Sequence, residues 1–148
     1  MFIDRRGSEV LTRPECLRLL AVAARSGTVG HLAVSTETAP VVHPVNFAFE
    51  DGQVVLRLGD GYMVEATAGR LVAFEVDGTD SAGRGRRVAW SVLVRGLVTA
   101  ERRLGEREQS TAPGPSPVVP EPGETLLYIR PDVVSGRRFQ APPLGAQP

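Results

Sequence analysis

Residues 86–100 read RRVAWSVLVRGLVTA, a long segment rich in strand-forming residues. Ser91 and Arg95 alternate with apolar residues here, so we predict a strand with one apolar face and one polar face. A typical strand has about five or six residues. A strand of this length is therefore expected to bend around a barrel.

Further strand-forming segments lie on both sides of this stretch. Asp51-Gly52, within EDGQ at 50–53, predicts a tight hairpin turn, because such turns need positive φ. The predicted strands, besides the one above, are TVGHLAVST (28–36), PVVHPVNFAF (40–49), VVLRL (54–58), RLVAFEVDG (70–78) and TLLYIRP (125–131). Six strands in hairpin order predict a small, mainly β, antiparallel barrel, which would remove exposed sheet edges.

One helix is expected before the strands. Thr12 and Glu15 have the spacing of a capping box, Pro14 suits a first turn, and Ser26-Gly27 is a suitable stop. The apolar residues between them recur at helical spacing: Cys16, Leu17, Leu19, Leu20, Ala23 and Ala24. We therefore expect Cys16 to pack in the core.

The chain length predicts one domain, which we place at residues 1–139. Residues 101–108 are charged and predict a short solvated helix or turn. Residues 109–124 are rich in Pro, Gly and Ser and predict a surface loop. DVVSGRRF (132–139) is expected to be a structured end, and residues 140–148 a flexible tail.

Composition excludes several function classes. The formal net charge is zero, so no broad electrostatic grip on nucleic acid or an anionic membrane is expected. All 17 basic residues are arginine, which excludes Schiff-base chemistry and the lysine-dependent phosphate loop of NTPases. The N-terminus lacks an apolar signal core and no apolar run reaches membrane-spanning length, so we expect a cytoplasmic protein.

Cysteine and histidine are scarce. Cys16 is the single cysteine, so no disulfide and no cysteine-rich zinc site is expected. His31 and His43 are the two imidazoles, which excludes a catalytic zinc with three histidines. The sequence predicts no metal site.

Two segments offer groups for a ligand. Pro44 would interrupt a regular ladder, so VVHPVNF is expected at an edge or bulge. His43 there is either a hydrogen-bonded structural residue or part of an irregular backbone that binds a planar heterocycle, with the Asn46 amide beside it. Trp90 is the single tryptophan and is either a core or interface anchor or a site residue.

Charged residues elsewhere are open to two interpretations. Arg137 and Arg138 are either solvated or bind phosphate or carboxylate groups. Glu75 and Asp77 alternate on a predicted strand and could pair with arginines. Their spacing alone does not indicate a glycosidase.

The segment VVLRLGDGYMVEATAGR (54–70) runs from a strand through Gly-Asp-Gly into a predicted short helix. Such a turn often holds a phosphate, because free backbone N–H groups point at the anion. Here the turn contains an aspartate, and Tyr62 and Met63 follow in place of Ser, Thr or a basic residue. The segment is either a phosphate site, a damaged one, or only a turn.

The order of the motifs PECLRLL, VGHLAVS, PVVHPVNFAFEDGQVVLRLGDG, VAFEVDG, AWSVLVRG and SGRRF resembles the pyridoxamine 5′-phosphate oxidase-like family, in particular its short actinobacterial branch of flavin-binding proteins. The resemblance covers roughly residues 10–139. It implies a six-stranded antiparallel split β-barrel that forms a homodimer, with FMN in a groove between subunits.

The resemblance also implies positions for the cofactor. The flavin ring would lie beside the strand of His43, Pro44, Val45, Asn46 and Phe47. The phosphate end would approach Arg57, Leu58, Tyr62 and Met63. Trp90 and Ser91 would lie near the site, which Arg137 or Arg138 would reach.

The phosphate end departs from the family pattern. Relatives commonly have Arg-Thr in the strand and Ser-Lys after the turn, whereas this chain has Arg57-Leu58 and then Tyr62-Met63. Loss of one charge-assisted contact to a phosphate costs about 1.5–3 kcal/mol. The resemblance therefore implies a degenerate phosphate site.

Several functions remain open from the sequence. The first is an FMN-dependent oxidoreductase of unknown substrate. A second is a non-catalytic split barrel that has lost flavin and binds another ligand or an assembly partner. A third is a deazaflavin-dependent reductase, and a fourth is a haem protein that uses His43 or His31.

Overall fold

The computed structural model describes residues 1–58, 61–83, 86–102 and 125–142. The prediction of a mainly β chain with an N-terminal helix is confirmed. The described residues form β1 (Phe2–Ile3), β2 (Glu9–Val10), α1 (Arg13–Arg25), β3 (Gly30–Val34), β4 (Val41–Val45), β5 (Ala48–Glu50), β6 (Gln53–Leu58), α2 (Tyr62–Thr67), β7 (Leu71–Ser81), β8 (Arg87–Arg102), β9 (Thr125–Ile129) and β10 (Val133–Ala141).

Helix α1 begins as the capping box predicts. The Glu15 carboxylate accepts hydrogen bonds from the Thr12 backbone N–H at 2.8 Å and from the Thr12 hydroxyl at 2.7 Å. The helix ends at Ser26, and Gly27 follows with φ of 69°. Cys16 is fully buried, which confirms its expected place in the core.

The strands form one large antiparallel sheet with a smaller branch. The large sheet has the order β1-β2-β10-β8-β7-β3-β4, and the branch β5-β6-β9 joins it at β8. Within the described residues the large sheet ends at β1 and β4, so it is not closed. This open arrangement agrees with the split barrel that the resemblance implied.

Strand β8 belongs to both parts of the fold. Its first half, from Arg87 to Arg95, pairs with β10, and its second half, from Val98 to Arg102, pairs with β9. Gly96 lies between the two halves, and a Cβ built there would fall on the carbonyl oxygen of Arg130. The prediction that this strand bends around the barrel is therefore confirmed, and Gly96 marks where its partner changes.

The predicted hairpin order of the strands is wrong in part. Strand β3 pairs with β7, and β6 pairs with β9, so the strands do not follow hairpin order throughout. The described residues also contain ten strands rather than six. The segment 40–49 is divided into β4 and β5, residues 132–139 lie mostly in β10, and two short strands precede α1.

Several local predictions can be compared with the structure. The hairpin between β5 and β6 has Asp51 and Gly52 at φ of 49° and 73°, as expected for a tight turn. Strand β10 continues to Ala141, into the segment expected to be a tail. Residues 103–108, the loop at 109–124 and the tail residues 143–148 lie outside the described part of the chain.

The core lies between the inner face of the sheet and α1. Phe74, Leu32 and Val94 are fully buried on that face, and Leu20 is fully buried on the helix. No helix among the described residues is long and apolar enough to cross a membrane.

We predict that Gly96→Ala lowers the free energy of unfolding by about 3 kcal/mol or more. The added methyl group would meet a backbone carbonyl, so the main chain at Arg130 must move. Thr99→Ala, at an exposed position of the same strand, is the matched control and should change stability by less than about 0.5 kcal/mol. Urea denaturation measures both, and equal stabilities would contradict the account of the bend.

Candidate functional site

The sheet has one face against the core and one face that a single chain leaves exposed. Leu32, Phe74 and Val94 occupy paired positions on the inner face, and His31, Glu75 and Leu93 occupy the next paired positions. Successive residues of a strand point to opposite faces. The second set therefore defines what we call the outer face.

The predicted ring-binding segment lies at an edge of the large sheet. Strand β4 pairs with β3 and has no other partner among the described residues, which confirms that Pro44 stands on an edge strand. Asn46 and Phe47 follow outside any strand, and Asn46 is exposed. The outward edge of β4 therefore presents backbone polar groups that no described strand binds.

Individual side chains of this segment have different surroundings. His43 pairs with Leu32 and so belongs to the inner face, where its Nε2 is enclosed and has no hydrogen-bond partner among the described residues. Val45 packs against the core. Phe47 is buried, and its ring meets Phe74 edge to face with centroids 4.9 Å apart. Phe47 therefore has a core role in this chain.

The predicted phosphate end is dominated by apolar packing. Arg57 is half-buried near the end of β6, whereas Leu58 and Met63 pack against the core. The N–H groups of Val64 and Glu65 already donate to the Gly61 carbonyl at 3.1 and 3.3 Å. Leu58 and Met63 thus contribute apolar packing at positions where the family pattern has polar groups.

The turn at the predicted phosphate end is only partly described. Gly59 and Asp60 lie outside the described residues, and Tyr62 is described only in its backbone. Tyr62 begins α2, which confirms the predicted short helix. The structure therefore places the strand and the helix on either side of the turn.

The third predicted group lies on β8 and β10. Trp90 pairs with Arg138, and Ser91 pairs with Arg137. The Trp90 side chain is buried and lies so close to Gly78 that a Cβ there would approach the indole to 2.5 Å. Trp90 is therefore a core anchor, while its neighbour Ser91 belongs to the outer face.

Both arginines of this group are bound to the N-terminal segment. Arg138 forms an ion pair with Glu9 at 3.0 Å, and both side chains are largely buried. Arg137 forms one with Asp4 at 3.3 Å. The Asp4 carboxylate also accepts the backbone N–H groups of Ser8 and Arg6, which together with Arg137 hold its pKa below the usual range.

The outer face carries an open groove of about 400 Å³ at one end of the sheet. Ala33 and Ala73 are directly paired there, so the groove has a flat floor of small side chains. Leu71, Val133 and Arg95 line its sides. None of the residues predicted from the sequence lines this groove.

A second feature of the outer face brings His31 together with Glu75 and Asp77, which follow it by 44 and 46 positions in the sequence. His31 Nδ1 lies 3.1 Å from a Glu75 carboxylate oxygen, and Asp77 stands two positions along the same strand. Burial and the Asp77 charge raise the pKa of Glu75, while the His31 hydrogen bond opposes that rise. The sequence does not show that these residues lie together, because β3 and β7 are far apart along the chain.

Within one chain the predicted residues thus form three separate patches. One is the edge of β4, one is the end of β6 with α2, and one is the paired region of β8 and β10. The arrangement brings Trp90, Ser91, Arg137 and Arg138 together but does not join them to the other two patches.

Solved structures of other proteins are similar to this fold. A Corynebacterium glutamicum protein, provisionally named a pyridoxamine 5′-phosphate oxidase, is 26% identical with a TM-score of 0.68, over 95% of this chain and 99% of that one. The FAD binding protein of Mycobacterium smegmatis is 25% identical with a TM-score of 0.65, over 88% and 99%.

A FAD-binding protein of Mesorhizobium loti shares the fold at 22% identity, with a TM-score of 0.62 and coverage of 89% and 98%. No curated protein sequence matches the chain significantly. The family model described as pyridoxamine 5′-phosphate oxidase matches residues 12–138. This match spans most of the chain and confirms the resemblance seen in the motifs, so the chain belongs to the pyridoxamine 5′-phosphate oxidase-like family.

Proposed function

We propose that the chain is a flavin-binding oxidoreductase whose flavin lies in a groove between two copies. The observation that carries this proposal is the outward edge of β4, which none of the described strands pairs with and which continues into Asn46 and Phe47 outside any strand. The names of the M. smegmatis and M. loti proteins, both FAD-binding, support a flavin as the ligand.

The ring end of the proposed site fits a flavin. The pyrimidine edge of the ring carries both hydrogen-bond donors and acceptors, and a strand edge offers both kinds of backbone group. Pro44 lacks an N–H, so the donors would come from its neighbours, with the exposed Asn46 amide beside them. Residues 43–47 would thus orient the ring mainly through backbone atoms.

The phosphate end fits one flavin better than another. The resemblance to the family implies FMN, whose terminal phosphate carries a charge of about −1.5 to −2 at neutral pH. Leu58 and Met63 pack against the core and offer it no polar group. FAD has a diphosphate in place of that terminal group and an adenine that can use apolar contacts. We therefore propose FAD as the preferred flavin, with FMN and a deazaflavin as weaker ligands.

A bound flavin would supply hydride and electron transfer, and the protein would supply binding and orientation. Arg57 and Tyr62 would stand at the phosphate end beside Leu58 and Met63. The partner copy would bring Ser91, Arg137 and Arg138 toward the ring, while Trp90 stays in its core. We assign these residues binding roles and name no proton donor, and we place the protein in the cytoplasm.

The outer face supports assembly into a homodimer. Its register brings large exposed apolar side chains onto one surface: Phe2, Val42, Leu71, Leu93, Val133 and Phe139. The same face carries acidic groups at Glu75 and Asp77 and arginines at 95 and 137. A two-fold axis would let this apolar surface of one copy pack against the same surface of the other.

A second candidate is a non-catalytic split barrel that has lost flavin. Two observations favour it: Leu58 and Met63 are used in packing, and Arg137 and Arg138 are already paired with Asp4 and Glu9. Such a protein would bind another ligand or an assembly partner. Direct titration separates the two candidates.

We expect FAD to bind the purified protein about tenfold or more tightly than FMN, because its adenine can add apolar contacts where Leu58 and Met63 offer the FMN phosphate no polar group. Quenching of flavin fluorescence measures both affinities. Tighter binding of FMN would contradict the account of the phosphate end. Failure of FAD, FMN and a deazaflavin to bind would favour the non-catalytic candidate.

The double substitution Leu58→Thr and Met63→Lys should increase FMN affinity about ten- to a hundredfold, because it returns a hydroxyl and an ammonium group to the phosphate end. The matched control combines Leu58→Thr with Met63→Gln, which is polar but uncharged and should give little gain. Thermal unfolding must show that both variants fold. Equal FMN affinities in the two variants would mean that position 63 does not face the phosphate.

Leu93→Glu should give a monomer at micromolar concentration and should lose flavin binding, because it places a charge in the centre of the outer face. Leu93 is 37% exposed in the single chain. Val22→Glu, at a helix position that is 40% exposed, is the matched control and should remain a dimer. Analytical ultracentrifugation measures the mass, and a wild-type monomer that binds flavin would contradict the shared groove.

A further inference from the structure

The outer face holds a compact group of metal-ligating side chains that the flavin proposal does not use. His31 on β3 pairs directly with Glu75 on β7, and Asp77 is two residues further along β7 on the same face. Side chains at such neighbouring positions of a sheet are close enough to interact. We call these three residues the outer-face triad.

The geometry of the triad approaches that of a coordination sphere. One ligand atom from each residue lies within 4.8 Å of the other two, and His31 Nδ1 is 3.1 Å from a Glu75 oxygen. Metal–ligand bonds of about 2.1 Å place neighbouring donors about 3 Å apart and opposite donors about 4.2 Å apart. Small side-chain rotations would therefore bring all three donors to bonding distance.

The side chains have room for those rotations. His31 is 41% exposed and Glu75 is 35% exposed, and Asp77 is also exposed. An ion held there would still have coordination positions open to water or to another molecule. The site is thus accessible from solvent in the single chain.

The charge balance around the triad favours a cation. The Asp77 side chain makes no hydrogen bond or ion pair with any other described residue. The residues paired with the triad on neighbouring strands are neutral: Pro44 opposite His31, Leu93 opposite Glu75 and Ser91 opposite Asp77. Two adjacent carboxylates therefore lack a directly opposed positive charge in this part of the sheet.

The nearest arginines of the outer face stand one position further away. Arg137 lies beyond Ser91 on β10 and is paired with Asp4 at 3.3 Å. Arg95 lies two positions along β8 from Leu93, opposite Ala73. Neither arginine therefore lies directly opposite Glu75 or Asp77 in the sheet.

We propose that the outer-face triad binds a divalent transition-metal ion through one imidazole nitrogen and two carboxylate oxygens. Such a mixed nitrogen and oxygen donor set suits Zn²⁺ and Mn²⁺ better than Ca²⁺ or Mg²⁺, which prefer oxygen ligands alone. To bind the ion, His31 Nδ1 gives up its hydrogen bond to Glu75 and presents its lone pair. The sequence predicts no metal here because it does not show that β3 lies beside β7.

The test titrates Zn²⁺ into the full chain without added flavin. The protein is first treated with EDTA and dialysed into a buffer that does not bind metal, and calorimetry measures affinity and stoichiometry. We expect one site per chain. Asp77→Asn and His31→Gln should each weaken binding at least about tenfold, since even residues that only orient a metal ligand commonly matter that much.

Asp80→Asn is the matched control, because Asp80 is an exposed carboxylate on the same strand but outside the triad. This variant should bind Zn²⁺ as the wild type does. Circular dichroism and thermal unfolding must show that each variant is folded. Absence of Zn²⁺ binding in the wild type would overturn the proposal, as would affinities that Asp77→Asn and His31→Gln leave unchanged.

Discussion

The close contact between Gly96 and the carbonyl of Arg130 is the constraint on which the rest of the fold depends. It lies where β8 leaves its pairing with β10 and begins its pairing with β9. The corner at residues 130–132 is held there from several sides: Arg130 N–H donates to the Leu97 carbonyl, and Arg13 of α1 donates to the Pro131 carbonyl at 2.7 Å. Strand β8 thus pairs with both parts of a sheet that does not close within the described residues.

This open sheet explains why the functional surface lies outside the core. The inner face is covered by α1 and filled by side chains such as Phe74 and Trp90. The outer face keeps exposed apolar residues, an uncovered groove and the outer-face triad. Both the proposed flavin groove and the proposed metal site therefore depend on a surface that one chain leaves uncovered.

Local sequence patterns predict where the helices and strands lie but not which strands pair with each other. The capping box at Thr12, the Asp51-Gly52 hairpin and the alternation around Ser91 all depend on residues close in sequence, and each is confirmed. The pairing of β3 with β7 joins His31 to Glu75 across 44 positions, and no local pattern encodes it. The sequence leaves Trp90 open between a core and a site role, and the resemblance implies that Phe47 lies beside the ring; in the structure both pack in the core.

The central claim is that two copies together build one kind of site. Strands β7 and β3 stand between the edge strand β4 and the paired region of β8 and β10, so we expect a partner copy to complete the site. Native mass spectrometry of the protein saturated with FAD tests this most directly. The account predicts a dominant species of two chains carrying two FAD molecules. A dominant species of one chain carrying one FAD would contradict it.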